Sequence, residues 1–269
     1  MNTNGNVYTV VYTTIIVVLV AAILAFASQS LKSRQEANIK AETISQMLAA
    51  AQFASKEDLS GISNDAVLDK YADNIENAFT VNAKGEKVSD LSIDRSSIEV
   101  ADGLKAENKL IGQDGLELPV YIFNKDSKKV TVVPVYGAGL WGPVWGYIAL
   151  DEDLETVLGA YFDHESETPG LGGKIKDDPS FRAKFVGKKL DLGAEAPLSI
   201  VKNAAGSSQI DAISGATMTS KGLSAAIGTW LGAYKPYLEK ARPETGCNCC
   251  EGECAEDMSC CEENENANE

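Results

Sequence analysis

The chain has 269 residues, 44% of them hydrophobic, which is enough for one sizeable domain with appendages. Its formal net charge of −15 is unevenly spread, because residues 244–269 hold nine acids and no Lys or Arg. The absence of a basic stripe or patch argues against a nucleic-acid partner.

Residues 1–6 form a short leader without Lys or Arg. Val7 to Ala27, "VYTVVYTTIIVVLVAAILAFA", then runs 21 residues without a charge. At a rise of about 1.5 Å per residue this run matches the roughly 30 Å hydrocarbon core of a bilayer. A cleaved signal peptide is the rival reading, since "AFAS" offers a small-residue site ending at Ala27. The missing basic leader and the length of the apolar run favour a retained single-pass anchor. Lys32, Arg34 and Lys40 follow the span, so the positive-inside rule alone places the main domain in the cytoplasm.

Residues 28–90 read as a helical linker region. "RQEANIKAETISQMLAAAQF" continues the helix out of the membrane. "NDAVLDKYADNIENAF" places Val67, Tyr71, Ile75 and Phe79 on one helical face, with Asn64 as N-cap. "NAKGEK" is a turn. The pattern then changes over 91–243, the main domain. "LPVYIF" (118–123), "VTVVPVY" (130–136), "VWGYIAL" (144–150) and "TVLGAYF" (156–162) are strand-like and too closely spaced for parallel crossovers, so they predict antiparallel hairpins. "DDPSFRAKFVG" predicts a short helix capped by Asp178 with Pro179 in the first turn. "LSIVKN" returns to strand. The last helix is expected from about Thr219 to Leu238, disturbed near Pro236. The class is α+β: one N-terminal transmembrane helix, then a twisted antiparallel sheet with flanking helices.

"GAGLWG" (137–142) matches a dinucleotide-binding glycine pattern, but Pro143 and a strand follow where that site needs a helix. It reads as a glycine-rich hairpin turn bearing Trp141 and Trp145. His164 is the only histidine, which leaves little for a histidine metal site or a Ser/His/Asp triad. No catalytic residue is assigned. The next loop, "ESETPGLGGK", holds Glu167, Thr168, Pro169, Gly170, Leu171, Gly172 and Gly173; it is either a plain turn or a ligand loop whose amides meet a planar polar ligand. All six cysteines, Cys247, Cys249, Cys250, Cys254, Cys260 and Cys261, lie in the acidic tail 244–269. That tail is too polar for a core and is expected to be disordered; passive solvation, soft-metal binding and thiol pairing are all open to it.

"DAISGATMTS" (211–220) is the densest stretch. A tight loop plus helix cap accounts for Gly215 and for Thr219 or Ser220, and leaves Asp211, Ser214 and Thr217 without a reason. With Thr217 just ahead of a helix N-terminus, free N–H groups and the macrodipole favour a phosphate. Small neighbours such as Ala216 leave the hydroxyl open to another protein's active site.

These residues resemble the flavinylation motif of FMN-binding domains in which FMN is joined to threonine by a phosphoester bond. In that motif the acceptor is the final Thr, here Thr217, after Asp211, Ser214, Gly215 and Ala216. The wider pattern is similar to the C-subunit family (NqrC) of the Na⁺-translocating NADH:quinone oxidoreductases, through the N-terminal span, "GAGLWGPVWGYIAL", "ETPGLGG", "FRAKFVGKKL", the motif itself and "WLGAYKPYLEK". The cysteine-rich tail departs from that pattern. The resemblance implies a covalent FMN on Thr217 attached by a flavin transferase. Further flavin contacts would come from Glu167, Thr168, Pro169, Gly170, Leu171, Gly172 and Trp145. It also implies partner subunits in the bacterial inner membrane and a periplasmic flavin domain, against the charge count. Two rivals remain: the ferredoxin-linked G subunit of the Rnf complex, which shares "ETPGLG" and "SGAT", and a membrane-anchored metal-binding protein using its thiol tail. The helical segment at 35–80 and "FVGKKL" favour the NqrC family.

Overall fold

The computed structural model describes residues 5–243 except 102 and 126. Helix α1 (Asn6–Ala50) is continuous for 45 residues. Its first part is fully exposed and has a mean hydropathy of 2.7 over its most apolar 18-residue window, apolar and long enough to cross a membrane. Its last turns bury Ile44, Met47 and Leu48 in the domain. One helix therefore carries both the apolar stretch of membrane-spanning length and a core element.

Two short helices follow, α2 (Lys56–Ser60) and α3 (Asn64–Asn74). The cap of α3 is Ser63, whose side chain accepts from the Ala66 N–H, one residue before the expected Asn64. The helix stops at Asn74 and the chain turns directly into β1 (Ile75–Val81), so Ile75 and Phe79 belong to a strand and not to the helical face expected for them. The four-residue spacing of 67, 71, 75 and 79 fits both helix and strand periods. Pairing of Ile75–Val81 with two neighbouring strands decides between them. β2 (Lys87–Asp90) returns along β1. Residues 75–90, expected in the linker region, are thus part of the sheet.

After α4 (Leu104–Leu110) come the expected strands β3 (Leu118–Lys125), β4 (Lys128–Ala138), β5 (Pro143–Leu150) and β6 (Val157–His164). With β1 and β2 they form one six-stranded antiparallel sheet in the order β2-β1-β3-β4-β5-β6. Next come α5 (Lys174–Asp177), α6 (Pro179–Ala183), a two-stranded parallel pair of β7 (Ser199–Val201) and β8 (Gln209–Asp211), and the long α7 (Thr217–Ala241). Asp178 caps α6 as expected, accepting from the Ser180 N–H at 2.9 Å.

The sheet is covered on both faces, which is why its strands read as nearly unbroken apolar runs. Successive side chains point to opposite faces. Val133, Val135, Val144, Ile148, Ala160 and Phe162 pack with Leu223, Ile227, Trp230 and Leu231 of α7. Val130, Val132, Tyr147, Ala149 and Tyr161 pack with Ile44, Met47 and Leu48 of α1 and Tyr71 of α3. The same alternation sends Val144 toward α7 and its neighbours Trp145 and Asp163 toward α1.

Helix α7 begins at Thr217, two residues before the expected start, and runs past Pro236 to Ala241. Buried Tyr234, Tyr237 and Leu238 on both sides of the proline hold it against the core. Its approach to the sheet depends on small residues. A Cβ on Gly222 would lie 2.3 Å from the Ala138 carbonyl oxygen, whereas one on Gly232 would meet only the Glu195 carbonyl at 3.7 Å. Gly222→Ala must therefore push the first half of α7 off β4, a backbone shift worth about 1–3 kcal/mol of destabilisation. Gly232→Ala, in the same helix, removes only a helix-weakening glycine and should raise stability by roughly 0.5–1 kcal/mol. Urea unfolding of the two variants checks both signs; equal effects would mean that α7 is not held this close.

Candidate functional site

Three chain segments converge at the N-terminal end of α7. The Ile213–Ala216 turn leads in, with Gly215 at φ +81°, a conformation that a side chain resists. Ala216 stands at the cap position without a side-chain hydrogen bond, so Thr217 is the first helical residue. Thr217 is exposed. The amides of Thr217, Met218 and Thr219 point out of the helix end, where no earlier turn supplies acceptors. The second segment is the β4–β5 hairpin turn, residues 139–142. The third is the loop 167–173, which folds on itself through Leu171 and Gly173 N–H groups donating to the Thr168 carbonyl.

A single carboxylate joins the three. Glu167, 4% exposed, accepts from the Leu140 N–H at 2.6 Å and the Trp141 N–H at 3.0 Å through Oε1. Its Oε2 accepts from the Thr219 hydroxyl at 2.6 Å. The Glu167 N–H in turn donates to His164 Nδ1 at 3.1 Å. Burial pushes the Glu167 carboxyl up, but the Thr219 hydroxyl and the Trp141 and Leu140 amides outweigh it, and its pKa is below the ordinary value. Its contacts are therefore complete above the ordinary carboxylate range and are lost as pH falls through the lowered pKa.

Glycines make room for this carboxylate. A Cβ on Gly139 would lie 2.4 Å from Glu167 Oε1, and one on Gly172 would lie 2.4 Å from Oε2 and 2.5 Å from Thr219 Oγ1. These glycines serve close approach rather than turn geometry. In front of the cluster lies an open pocket of about 200 Å³ lined by Leu140, Glu167, Thr168, Leu171, Gly172, Gly215, Ala216, Thr217, Met218 and Thr219. Leu140, Trp141, Leu171 and Met218 are the exposed apolar side chains of this end of the domain. The pocket thus offers helix-end amides for an anion, a floor of glycine backbone, and an apolar rim for a flat ring.

The two stretches singled out by sequence meet here. Thr217, Gly215 and Ala216 line one wall, and Glu167, Thr168, Leu171 and Gly172 the other. Pro169 and Gly170 are exposed on the same loop, Gly170 at φ +74°. Ser214 is exposed in the turn before Gly215. Asp211 sits further back at the end of β8 and accepts from the Ala204 N–H at 2.8 Å, bracing the preceding loop. Trp145 does not join them. It faces α1, donates from Nε1 to Gln46 Oε1 at 3.3 Å, and lines a different cavity on the opposite side of the sheet. Thr219 and Ser220 are not helix caps: Thr219 binds Glu167, and the Ser220 hydroxyl accepts from the buried Ile213 N–H. The hairpin reading of "GAGLWG" holds, but its contribution to the site through Leu140 and Trp141 was not legible. The closely set glycines 137, 139 and 142 were the available signal. The six tail cysteines lie outside the described residues.

Residues 139–232 match the family model described as FMN-binding domain, a span that contains all three converging segments. The chain is 30% identical over 249 residues to the C subunit of the Na(+)-translocating NADH-quinone reductase of Vibrio parahaemolyticus, a match covering 82% of this chain and 89% of that protein. It is 35% identical over 187 residues to the C subunit from Neisseria meningitidis serogroup B, covering 64% and 72%. Two crystal structures share the fold. The C subunit from Parabacteroides distasonis superposes with a TM-score of 0.65 at 34% identity, covering 77% of this chain and 96% of that one. The Shewanella oneidensis NqrC gives 0.55 at 27% identity, covering 73% and 94%. Identity over most of the chain, the matched flavin-domain model and the shared fold agree, and the chain belongs to the C-subunit family of the Na(+)-translocating NADH-quinone reductases.

Proposed function

We propose that this chain is the flavin-carrying electron-relay subunit of a membrane oxidoreductase, with FMN joined by a phosphoester bond to the Thr217 hydroxyl. The convergence of 214–219 with 167–172 around an exposed Thr217 supports this reading most directly. The residues present suit FMN: helix-end amides beside Thr217 for the phosphate, small residues around the acceptor oxygen, and an apolar rim for the ring. When bound, FMN supplies reversible uptake and release of electrons, and the protein supplies orientation and electrostatics. Thr217 holds the phosphate at the helix end. Gly172 and Leu171 set the loop side of the pocket, and Glu167 fixes that loop relative to α7. Asp211, Ser214, Gly215 and Ala216 form the stretch that a flavin transferase recognises before the cofactor is in place.

The single apolar helix α1 is compatible with single-pass anchoring. We place it in the bacterial inner membrane, against lipid and the other subunits of the complex, with the flavin domain in the periplasm. NADH oxidation and Na⁺ transport belong to other subunits, because one span forms no ion pathway. The Rnf-type reading gains no support from the relatives, which are named as C subunits of Na(+)-translocating NADH-quinone reductases. The metal-binding reading rests on tail residues outside the described ones.

Three measurements test this reading. Intact-mass analysis of the chain matured with a flavin transferase should show the added mass of one FMN, and Thr217→Val, altering one exposed hydroxyl, should remove it completely. Flavin mass on the valine variant, or none on the wild type, would end the assignment. Gly172→Val should keep the covalent flavin but shift its absorbance and midpoint potential, because the new side chain must displace Glu167 and Thr219. An unchanged spectrum and potential would mean that the loop does not meet the ring. For orientation, a membrane-impermeant thiol reagent applied to reduced spheroplasts should label the Cys247–Cys261 cluster. Labelling only after permeabilisation would return the domain to the cytoplasm, as Lys32, Arg34 and Lys40 alone imply.

A further inference from the structure

The pocket is tied to the anchor helix by a chain of hydrogen bonds that passes through two buried carboxylates. Gln46, 3% exposed, lies on α1, which continues unbroken from the apolar span. Its side-chain amide donates to Asp163 Oδ2 at 3.0 Å, and Asp163 is itself 4% exposed. Asp163 also accepts from the His164 N–H at 2.7 Å and pairs with the Lys176 ammonium at 2.9 Å. His164 Nδ1 accepts from the Glu167 N–H, and the Glu167 carboxylate holds Thr219 and the hairpin amides. Lys176 belongs to α5, which starts directly after the loop 167–173. Asp163 therefore touches the loop from both ends, through His164 before it and Lys176 after it.

We propose that Gln46 is a positioning residue for the flavin site, acting through Asp163, His164 and Glu167, so that the setting of the membrane helix is felt at Thr217; this rests on the FMN reading above. The two carboxylates of the chain, Asp163 and Glu167, are buried and have few alternatives to these donors, since an unpaired polar group away from water is costly. A carboxylate that loses one of its donors turns toward those that remain, here Lys176 and the His164 amide, and carries the ends of the loop with it. Unlike a fully packed core, the link has space to move. A cavity of about 520 Å³, lined largely by apolar groups, adjoins Gln46, Trp145 and Asp163 between α1 and the sheet. The anchor's last turns are otherwise held by Ile44, Met47 and Leu48, which pack on the sheet face away from α7. None of the three lines the pocket, whereas the polar chain runs from Gln46 to Glu167, which does.

The full-length flavinylated chain in detergent tests this, using the single histidine as a reporter. Gln46→Leu removes the amide, and Gln46→Met does the same while keeping the length of an unbranched side chain. Ser45→Ala is the control: Ser45 is equally buried and accepts from Lys56, outside the chain of contacts. Both Gln46 variants should carry the full FMN mass, move the imidazole nitrogen signals of His164, and shift the flavin midpoint potential. Ser45→Ala should leave signals and potential unchanged, even with a comparable loss in Tm. Wild-type values of either the His164 signals or the potential in both Gln46 variants would overturn the proposal, and so would an equal shift in Ser45→Ala. Absence of covalent FMN on the wild-type chain, seen by mass alone, would instead fail the Thr217 reading and take the flavin half of the proposal with it. The His164 signals would still decide whether Gln46 reaches the loop.

Discussion

The site depends on one buried carboxylate. Glu167 is removed from water, and a charge in that position is tolerable only when its oxygens are met by donors. They are met by donors from two other segments, the Leu140 and Trp141 amides of the hairpin turn and the Thr219 hydroxyl of α7. No pair of these segments is close in sequence. Their relative placement is set by a group that none of them can abandon without leaving a charge or a donor unpaired. Thr217 inherits its position from this arrangement, since Thr219 lies within the same first turn of α7.

The carboxylate could not act so without backbone at close range. Gly139 and Gly172 stand where any side chain would occupy the space of its two oxygens, and Gly222 lets the helix reach the end of β4. Glycine-rich stretches in this chain thus have three meanings: a turn with positive φ at Gly215, contact with a charged group at Gly139 and Gly172, and helix–sheet contact at Gly222. A glycine pattern that resembles a nucleotide fingerprint belongs to the second kind. Its amides bind a carboxylate of the same chain, and the free helix-end amides lie on a different segment.

Much of this was legible in the sequence. Four of the six sheet strands follow from short apolar runs with polar turns between them, and the long apolar helix from an uncharged run long enough for a bilayer. The stretch 215–217 stood out through its small and hydroxylated residues and the loop 167–172 through its glycines and the family resemblance, and the structure sets Glu167, Thr168, Leu171 and Gly172 in one pocket with Gly215, Ala216 and Thr217. Other features stayed hidden for physical reasons. Phe79 is four residues from Ile75, a spacing compatible with both helix and strand, and only pairing with β3 and β2 settles it. Trp145 is adjacent to Val144, yet strand alternation sends the two to opposite faces, so proximity in sequence to the hairpin turn did not place it in the pocket. The start of α7 at Thr217 depends on Thr219 spending its hydroxyl on a residue 52 positions away, a contact that no local cap rule anticipates.

The length of α1 gives the fold its particular character. A helix that ended at the membrane surface would leave the domain on a flexible tether, and its orientation would be averaged. Here about 45 residues at 1.5 Å each make a rod of roughly 68 Å. Its last turns lie in the core beneath the sheet, with Lys56 and Glu42 paired beside them. The apolar stretch and the domain are therefore joined by one unbroken helix. For the electron relay proposed above, that geometry would matter more than affinity for any free ligand, because electron transfer weakens steeply with distance. On the reading proposed above, a covalently held cofactor and a continuous anchor helix would solve the same problem at two scales. One would fix the ring relative to the domain, and the other the domain relative to the membrane.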